Sequence, residues 1–220
     1  MKKVTLILLA VFCASVLGKE VEIKKCAAAP VIDGVLDDEC WERAVKLELV
    51  SNVMGEDLFE SAFAYVTYDD NNIYVACQNN DTMMKEVKAA AKSGADVWAD
   101  DCVEVFIDPT NEGVGYFHAL VNSAGLFDKG YYKKKGSLGT WKTKIVSKAA
   151  RTEDKWVAEL SIPIADMAST IKKELNKISW NFNIERERPS KSNAPYEDYI
   201  WSPTWGSSHM PDRFGTIKFK

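Results

Sequence analysis

Histidine is scarce in this chain, basic residues do not outnumber acidic ones, and no long apolar run follows the first eighteen residues. The sequence carries 28 Lys and Arg against 32 Asp and Glu, for a net charge of −4. Because phosphate binding requires a basic surface, this balance argues against a nucleic-acid partner. No transmembrane helix is expected after residue 18, since a spanning helix needs about 20 apolar residues.

The first eighteen residues have the pattern of a signal peptide. Lys2 and Lys3 form a basic start, residues 4–11 form an apolar segment, and small residues follow up to Gly18. The alternative of a lipoprotein signal is weaker, because a small residue should precede Cys13 and Phe12 stands there. We therefore expect an exported mature chain, 19–220, that is secreted, periplasmic or held at the cell surface.

Four of the five cysteines remain after such cleavage, and their spacing matches no zinc or haem-attachment pattern. In an exported chain, four thiols favour two disulfides, with three possible connectivities. Buried free thiols are the alternative. The residues concerned are Cys26, Cys40, Cys77 and Cys102.

Strand patterns dominate the rest of the sequence. Alternating or short apolar runs separated by turn residues predict strands at 61–69, 73–78, 102–108, 116–125, 155–163, 178–186 and 214–219. Helical spacing predicts short helices within 31–45, 82–94 and 165–176. The predicted fold class is all-β, an antiparallel β-sandwich of jelly-roll or immunoglobulin-like type, forming one domain over 19–220 with a few short helices.

Five phrases of the sequence, in order, resemble the carbohydrate-binding module family 9-like domains, which are related to the DOMON group of β-sandwiches. They are APVIDGVLDDECWERA, DDNNIYVACQNND, VWADDCVEVFIDP, WNFNIERERP and IWSPTWGSSHMPDRFGTIKF. The similarity covers about residues 28–220. It implies a non-catalytic β-sandwich that holds a saccharide between two Trp side chains, carries structural calcium and serves polysaccharide breakdown beside glycoside hydrolases.

The stretch DVWADDCVEVFID (96–108) supplies one wall and one polar group for such a site. A flat aromatic ring contacts the apolar face of a sugar, while carboxylate, amide or guanidinium groups bind its hydroxyls. Trp98 and Glu104 are therefore predicted ligand contacts. The alternative is an interior Trp and a solvated Glu on the outer face of the strand.

The second ring is expected in IWSPTWG (200–206), where Trp205 is predicted to be the more exposed residue and Trp201 is better suited to core packing. Polar partners on the strands are expected among His118, Asn122, Asn183, Arg186 and Arg188. For the two arginines the alternative is ion pairing within ERER (185–188).

The loops 69–72, 79–81 and 100–101 are rich in Asp and Asn and are the candidate calcium loops, although such loops more often reflect ordinary turn chemistry. Two other functions compete with sugar binding. One is a haem-binding redox domain, which would use Met83, Met84 or the HMP segment (209–211) as haem ligands. The other is a structural sandwich at the cell surface, which would bind neither haem nor a saccharide. Hydrolysis is disfavoured, because no nucleophile motif is present and His118 and His209 stand alone.

Overall fold

The computed structural model describes residues 18–133 and 138–220. The predicted signal peptide therefore lies outside the described residues, apart from Gly18.

Two β-sheets face each other across one hydrophobic core, and this confirms the predicted β-sandwich. The large sheet contains β1 (Glu20–Ile23), β3 (Val50–Ser51), β6 (Cys102–Asp108), β7 (Tyr116–Asn122), β8 (Phe127–Tyr132), β9 (Leu138–Gly139), β12 (Ser179–Arg188), β13 (Glu197–Ile200) and β14 (Gly215–Phe219). The small sheet contains β2 (Val45–Glu48), β4 (Ala62–Tyr68), β5 (Asn72–Asn80), β10 (Val146–Arg151) and β11 (Lys155–Pro163). Within the described ranges the strands pair antiparallel, except β1 with β14.

The centre of the large sheet runs in the order β14-β12-β6-β7-β8. Side chains alternate along a strand, so Val103, Val105 and Ile107 of β6 enter the core between the sheets. Cys102, Glu104 and Phe106 lie on the opposite, outer face. The outer face of this sheet is therefore where polar and aromatic side chains of β6, β7 and β12 meet.

A second, smaller cluster covers the outer face of the other sheet. Cys26, Cys40 and Trp41 pack on Tyr74 and Ala76 of β5, which places the N-terminal segment against the small sheet. The segment includes helix α1 (Glu39–Arg43), inside the predicted 31–45 range. Trp156 and Trp180 are core residues, as their positions within alternating strands predict.

Helix α2 (Ile164–Ile171) begins the predicted 165–176 segment, whereas the helix predicted for 82–94 is wrong. Only short 3-10 turns form there, at Met84–Glu86 and Gly94–Ala99. The carboxylate of Asp100 accepts the backbone N–H groups of Ala90 and Ala91, and that of Asp101 accepts the N–H of Lys88. Because these donors bind side chains, they are not available for helical hydrogen bonds.

The predicted disulfides are not formed in the structure: all four cysteines are free and buried, which is the alternative given above. Cys77 lies in the core between the sheets, whereas Cys102 lies on the outer side of the large sheet. A sheet separates these two thiols, so they cannot pair without rearrangement. Cys26 and Cys40 share the cluster on the small sheet but remain unbonded.

Candidate functional site

A groove lies on the outer face of the large sheet. It consists of two adjoining hollows of about 280 Å³ and 350 Å³ that share Trp98, Glu104 and His209. Such volumes lie near the lower end of the range for small-ligand sites. The remaining walls include Leu120, Asp128, Lys129 and Tyr132 on one side and Glu187, Tyr196, Asp198 and Ser207 on the other.

Trp98 stands on the 3-10 turn Gly94–Ala99 and is 65% exposed. Its neighbour Val97 is fully buried against Cys102 and Leu120, which anchors the turn to the sheet. Asp100 ends the turn and accepts hydrogen bonds from Ala90, Ala91 and the Asn122 amide. One short turn thus buries Val97 and leaves the indole of Trp98 in solvent at the groove.

Glu104 and His118 form a buried pair at the floor of the groove. Glu104 Oε2 lies 2.7 Å from His118 Nε2, and the His118 ring stacks on Phe106 with centroids 4.6 Å apart. Burial by itself would raise the pKa of Glu104, but the positive charge and hydrogen bond of His118 outweigh it and lower the pKa below its usual value. Glu104 is therefore ionised at neutral pH, and it is held in a fixed position.

His209 joins this pair from the loop after β13. Its Nδ1 lies 2.6 Å from the Tyr116 hydroxyl, and its ring meets the His118 ring edge-on at 5.1 Å. Burial and the nearby His118 lower the pKa of His209, against the opposing effect of Glu104, so the imidazole is neutral at neutral pH. Glu104, His118 and His209 each offer one atom that could bind a metal ion, and these three atoms lie within 4.8 Å of one another. In the described ranges this is the one such group of three His, Cys, Asp or Glu residues.

A second set of carboxyl groups lies beside this floor, on β12 and β13. Burial, and then the adjacent carboxyl of Asp198, raise the pKa of Glu185 well above its usual value. Burial raises the pKa of Glu187 to about 7, although the Tyr196 hydroxyl donates a hydrogen bond to it. Both oxygens of Glu185 and Oδ1 of Asp198 have no hydrogen-bond partner. This part of the groove is acidic, and its charge changes near neutral pH.

The structure places Asn122 and Asn183 in supporting positions. Asn122 donates to Asp100 and accepts the N–H groups of Ala124 and Leu126, so its amide holds the loop around Trp98. Asn183 exchanges hydrogen bonds with both backbone groups of Ser202. The polar atoms of both amides are thus engaged within the protein.

Arg186 lies on the inner face of β12, away from the groove, and is fully buried. Its guanidinium donates to Asp81, which Arg188 also contacts, and Arg188 binds Glu197. Both arginines are ion-paired, but with Asp81 and Glu197 rather than within ERER. The alternation of β12 separates them from Glu185 and Glu187, which lie on the groove side.

The two tryptophans expected to supply the second ring have different surroundings. Trp201 is 4% exposed and packs in the core near Phe182, with centroids 6.0 Å apart. Trp205 is 41% exposed but lines a separate hollow of about 630 Å³ with Met54 and Arg213. The structure therefore does not bring Trp205 into the hollows that Trp98 lines.

Trp205 has a left-handed backbone conformation with φ of 57°. This is costly for a bulky residue, so surrounding contacts must hold it there. The Asn52 side chain does so: its oxygen accepts the N–H groups of Thr204 and Trp205, and its amide donates to Asp198 and to the Gly206 carbonyl. One asparagine thus fixes both the Trp205 loop and an acid of the groove.

The carboxylates of the candidate calcium loops already accept hydrogen bonds from donor groups. Asp69 accepts two backbone N–H groups and the Tyr74 hydroxyl, and Asp81 binds the two arginines. Asp100 accepts three donors, and Asp101 contacts the ammonium of Lys191. Because arginine, lysine and backbone donors occupy these oxygens, the carboxylates as arranged do not fit calcium ligation. Of the methionines considered for haem, Met84 packs against the core.

Several residues of the groove were not recognised in the sequence. His209 stands as an isolated loop histidine there, and Tyr132, Glu187, Tyr196 and Asp198 carry no motif. The period-two alternation of β12 places Glu185 and Glu187 on one face and could have indicated the acidic strip. No local signal predicts that His209 meets Glu104.

A family model for carbohydrate family 9 binding domain-like proteins matches residues 32–220. The chain belongs to this family. The family 9 domain is 28% identical over 193 residues to endo-1,4-beta-xylanase A of Thermotoga neapolitana. That match covers 86% of this chain and 17% of the xylanase, so the chain spans less than a fifth of that relative's length.

Solved structures have the same fold at low identity. A protein from Bacteroides uniformis has a TM-score of 0.75 at 18% identity, over 92% of this chain and 100% of that one. A family 9 carbohydrate-binding module from Caldicellulosiruptor kristjanssonii, in complex with cellotriose, has a TM-score of 0.69 at 20% identity, over 92% and 94% of the two chains. In the described part of this chain, no helix combines the length and apolar character that a membrane span needs.

Proposed function

We propose that this family 9 domain is an exported, non-catalytic module that binds a saccharide in the groove on the large sheet. The supporting observation is that the exposed ring of Trp98 lines the same two hollows as the buried carboxylate of Glu104. The ring offers a flat apolar surface for one face of a sugar, and the carboxylate accepts hydroxyl protons at its edge.

Relatives support a neutral polysaccharide as the ligand. The related module from Caldicellulosiruptor kristjanssonii is in complex with cellotriose, and the longer relative is an endo-1,4-beta-xylanase. Among the described residues, the groove is lined by four acids and one cation, namely Glu104, Asp128, Glu187, Asp198 and Lys129. This charge favours uncharged β-1,4 glucans and xylans over glycans that carry uronic acids, because like charges repel.

Two sets of aromatic residues can form the second wall of the site, opposite Trp98, and an experiment distinguishes them. In the first arrangement, His209 and Tyr132 form the second wall, since both line the groove together with Trp98. The ring centroids of His209 and Tyr132 lie 4.9 Å apart. Trp205 would contribute only after its loop moves from the hollow that contains Met54. Loss of binding in Trp98→Ala alone supports the first arrangement, and loss in both Trp98→Ala and Trp205→Ala supports the two-Trp arrangement.

The test is calorimetric titration of cellotriose and xylotriose into the protein in the presence of EDTA. We expect Trp98→Ala to weaken binding by at least ~30-fold, the effect of losing about 2 kcal/mol at a central aromatic contact. Its free energy of unfolding should change by no more than about 1 kcal/mol, because the ring is largely exposed.

Phe59→Ala is the matched control, since Phe59 is 61% exposed and does not line the groove. Its affinity should equal that of the wild type. Undiminished binding by Trp98→Ala would remove the groove from consideration as the saccharide site.

A further inference from the structure

Glu104, His118 and His209 bring one carboxylate and two imidazoles to a single point. Each offers one ligand atom, and these three atoms lie within 4.8 Å of one another, with the Glu104 and His118 atoms at 2.7 Å. In a tetrahedral zinc site, ligand atoms about 2.0–2.1 Å from the metal lie roughly 3.3 Å apart. The Glu104 and His118 atoms are closer than that value because they share a hydrogen bond, so this bond would have to open for a metal ion to enter between them.

Both imidazoles pack on one aromatic ring, and His209 also has an outer hydrogen bond of the kind that orients metal-binding histidines. His118 stacks on Phe106, and His209 meets the same ring edge-on at 5.4 Å. His209 Nδ1 is engaged by the Tyr116 hydroxyl at 2.6 Å. When Nδ1–H donates to that oxygen, Nε2 carries the free lone pair, and such second hydrogen bonds orient histidine ligands and fix their tautomer.

The donor set selects a class of metal. Two imidazole nitrogens and one carboxylate suit zinc and the neighbouring divalent ions cobalt, nickel and copper, whereas calcium and magnesium prefer oxygen ligands throughout. Three protein ligands leave at least one coordination position for water or another ligand. All three residues line the same hollow of the groove, so the site borders the groove.

We propose that Glu104, His118 and His209 form a binding site for a divalent transition metal ion, with zinc as the expected occupant, at the floor of the groove. The ligands come from β6, β7 and the loop after β13, so the site exists only in the folded chain. This inference goes beyond the proposed saccharide binding and does not depend on it.

The experiment uses the untagged protein, stripped with a chelator, with no saccharide present. Titration with Zn²⁺ by calorimetry should give one ion per chain, and Co²⁺ should produce the visible d–d absorption of a protein-bound ion. His209→Ala removes a ligand from an exposed loop and should lower the zinc affinity by more than ~100-fold. Loss of a residue that only hydrogen-bonds a ligand lowers metal affinity by about 10- to 100-fold, and we expect a decrease in that range for Tyr116→Phe.

Cys102→Ser is the matched control, because the Cys102 sulfur lies 3.9 Å from Glu104 Oε1 and is the thiol that could bind metal in place of the triad. It should leave stoichiometry and affinity unchanged. Absence of Zn²⁺ binding by the wild type, or equal binding by His209→Ala, would overturn the assignment. Because saccharide binding is measured in EDTA and metal binding without saccharide, failure of either proposal leaves the other intact.

Discussion

Replacing Glu185 by Gln should stabilise the fold increasingly as the pH rises. Glu185 is fully buried, neither of its oxygens has a hydrogen-bond partner, and it lies beside the carboxyl of Asp198. Burial and that neighbour raise its pKa well above the usual value. A buried carboxyl of this kind binds a proton more tightly in the folded than in the unfolded chain.

The sign and size follow from linkage. With the folded pKa above the unfolded value of about 4.3, the folded state holds more protons, so its stability falls as pH rises between the two. One group contributes up to about 1.4 kcal/mol per pH unit across that interval. The side-chain amide that Glu185→Gln introduces does not titrate and has the unpartnered Asp198 Oδ1 as an acceptor, so this contribution should disappear.

The assay is urea unfolding of wild type and Glu185→Gln at several pH values from about 5 to about 8. We expect the difference in unfolding free energy to grow with pH in favour of the variant. Glu42→Gln, on the exposed side of α1, controls for the loss of one surface carboxylate. A difference that stays constant with pH, or that favours the wild type at the upper end, would refute the assigned environment of Glu185.

Two further predictions concern buried charge and groove chemistry. Asp81→Ala should lower the free energy of unfolding by about 3–5 kcal/mol in thermal or urea unfolding, because it leaves Arg186 and Arg188 buried without their shared carboxylate; a loss below about 1 kcal/mol would contradict this. Since burial raises the pKa of Glu187 to about 7, saccharide affinity should rise from about pH 6 to about pH 8 as this acceptor ionises, and Glu187→Gln should flatten that profile in calorimetry; an equally steep profile in the variant would assign the titration to another group.

The outward direction of Glu104 could be derived from the sequence, but its contact with His118 and His209 could not. The alternation of β6 requires that a residue between Cys102 and Phe106 leave the core when Val103 and Val105 enter it. What covers that outer face depends on distant segments. Tyr116 and His209 approach it because β7 pairs with β6 and because the loop after β13 folds over the sheet.

The helix predicted for 82–94 does not form, and the cause again lies in contacts with residues outside that segment. Residues 84–91 have adequate helical propensity, but the carboxylates of Asp100 and Asp101 bind the backbone N–H groups that a helix would need. Local propensity is worth only tenths of a kcal/mol per residue, so tertiary hydrogen bonds override it.

By itself the sequence determined the β-sandwich, the family and the outward direction of Glu104, because strand alternation and turn residues act over a few neighbouring positions. The tertiary structure alone decided that Arg186 pairs with Asp81 in the interior, that Trp205 lines a hollow of its own, and that His209 meets Glu104 and His118. Strand pairing and loop packing join residues far apart in the chain, and no local pattern of side chains encodes which of them will meet.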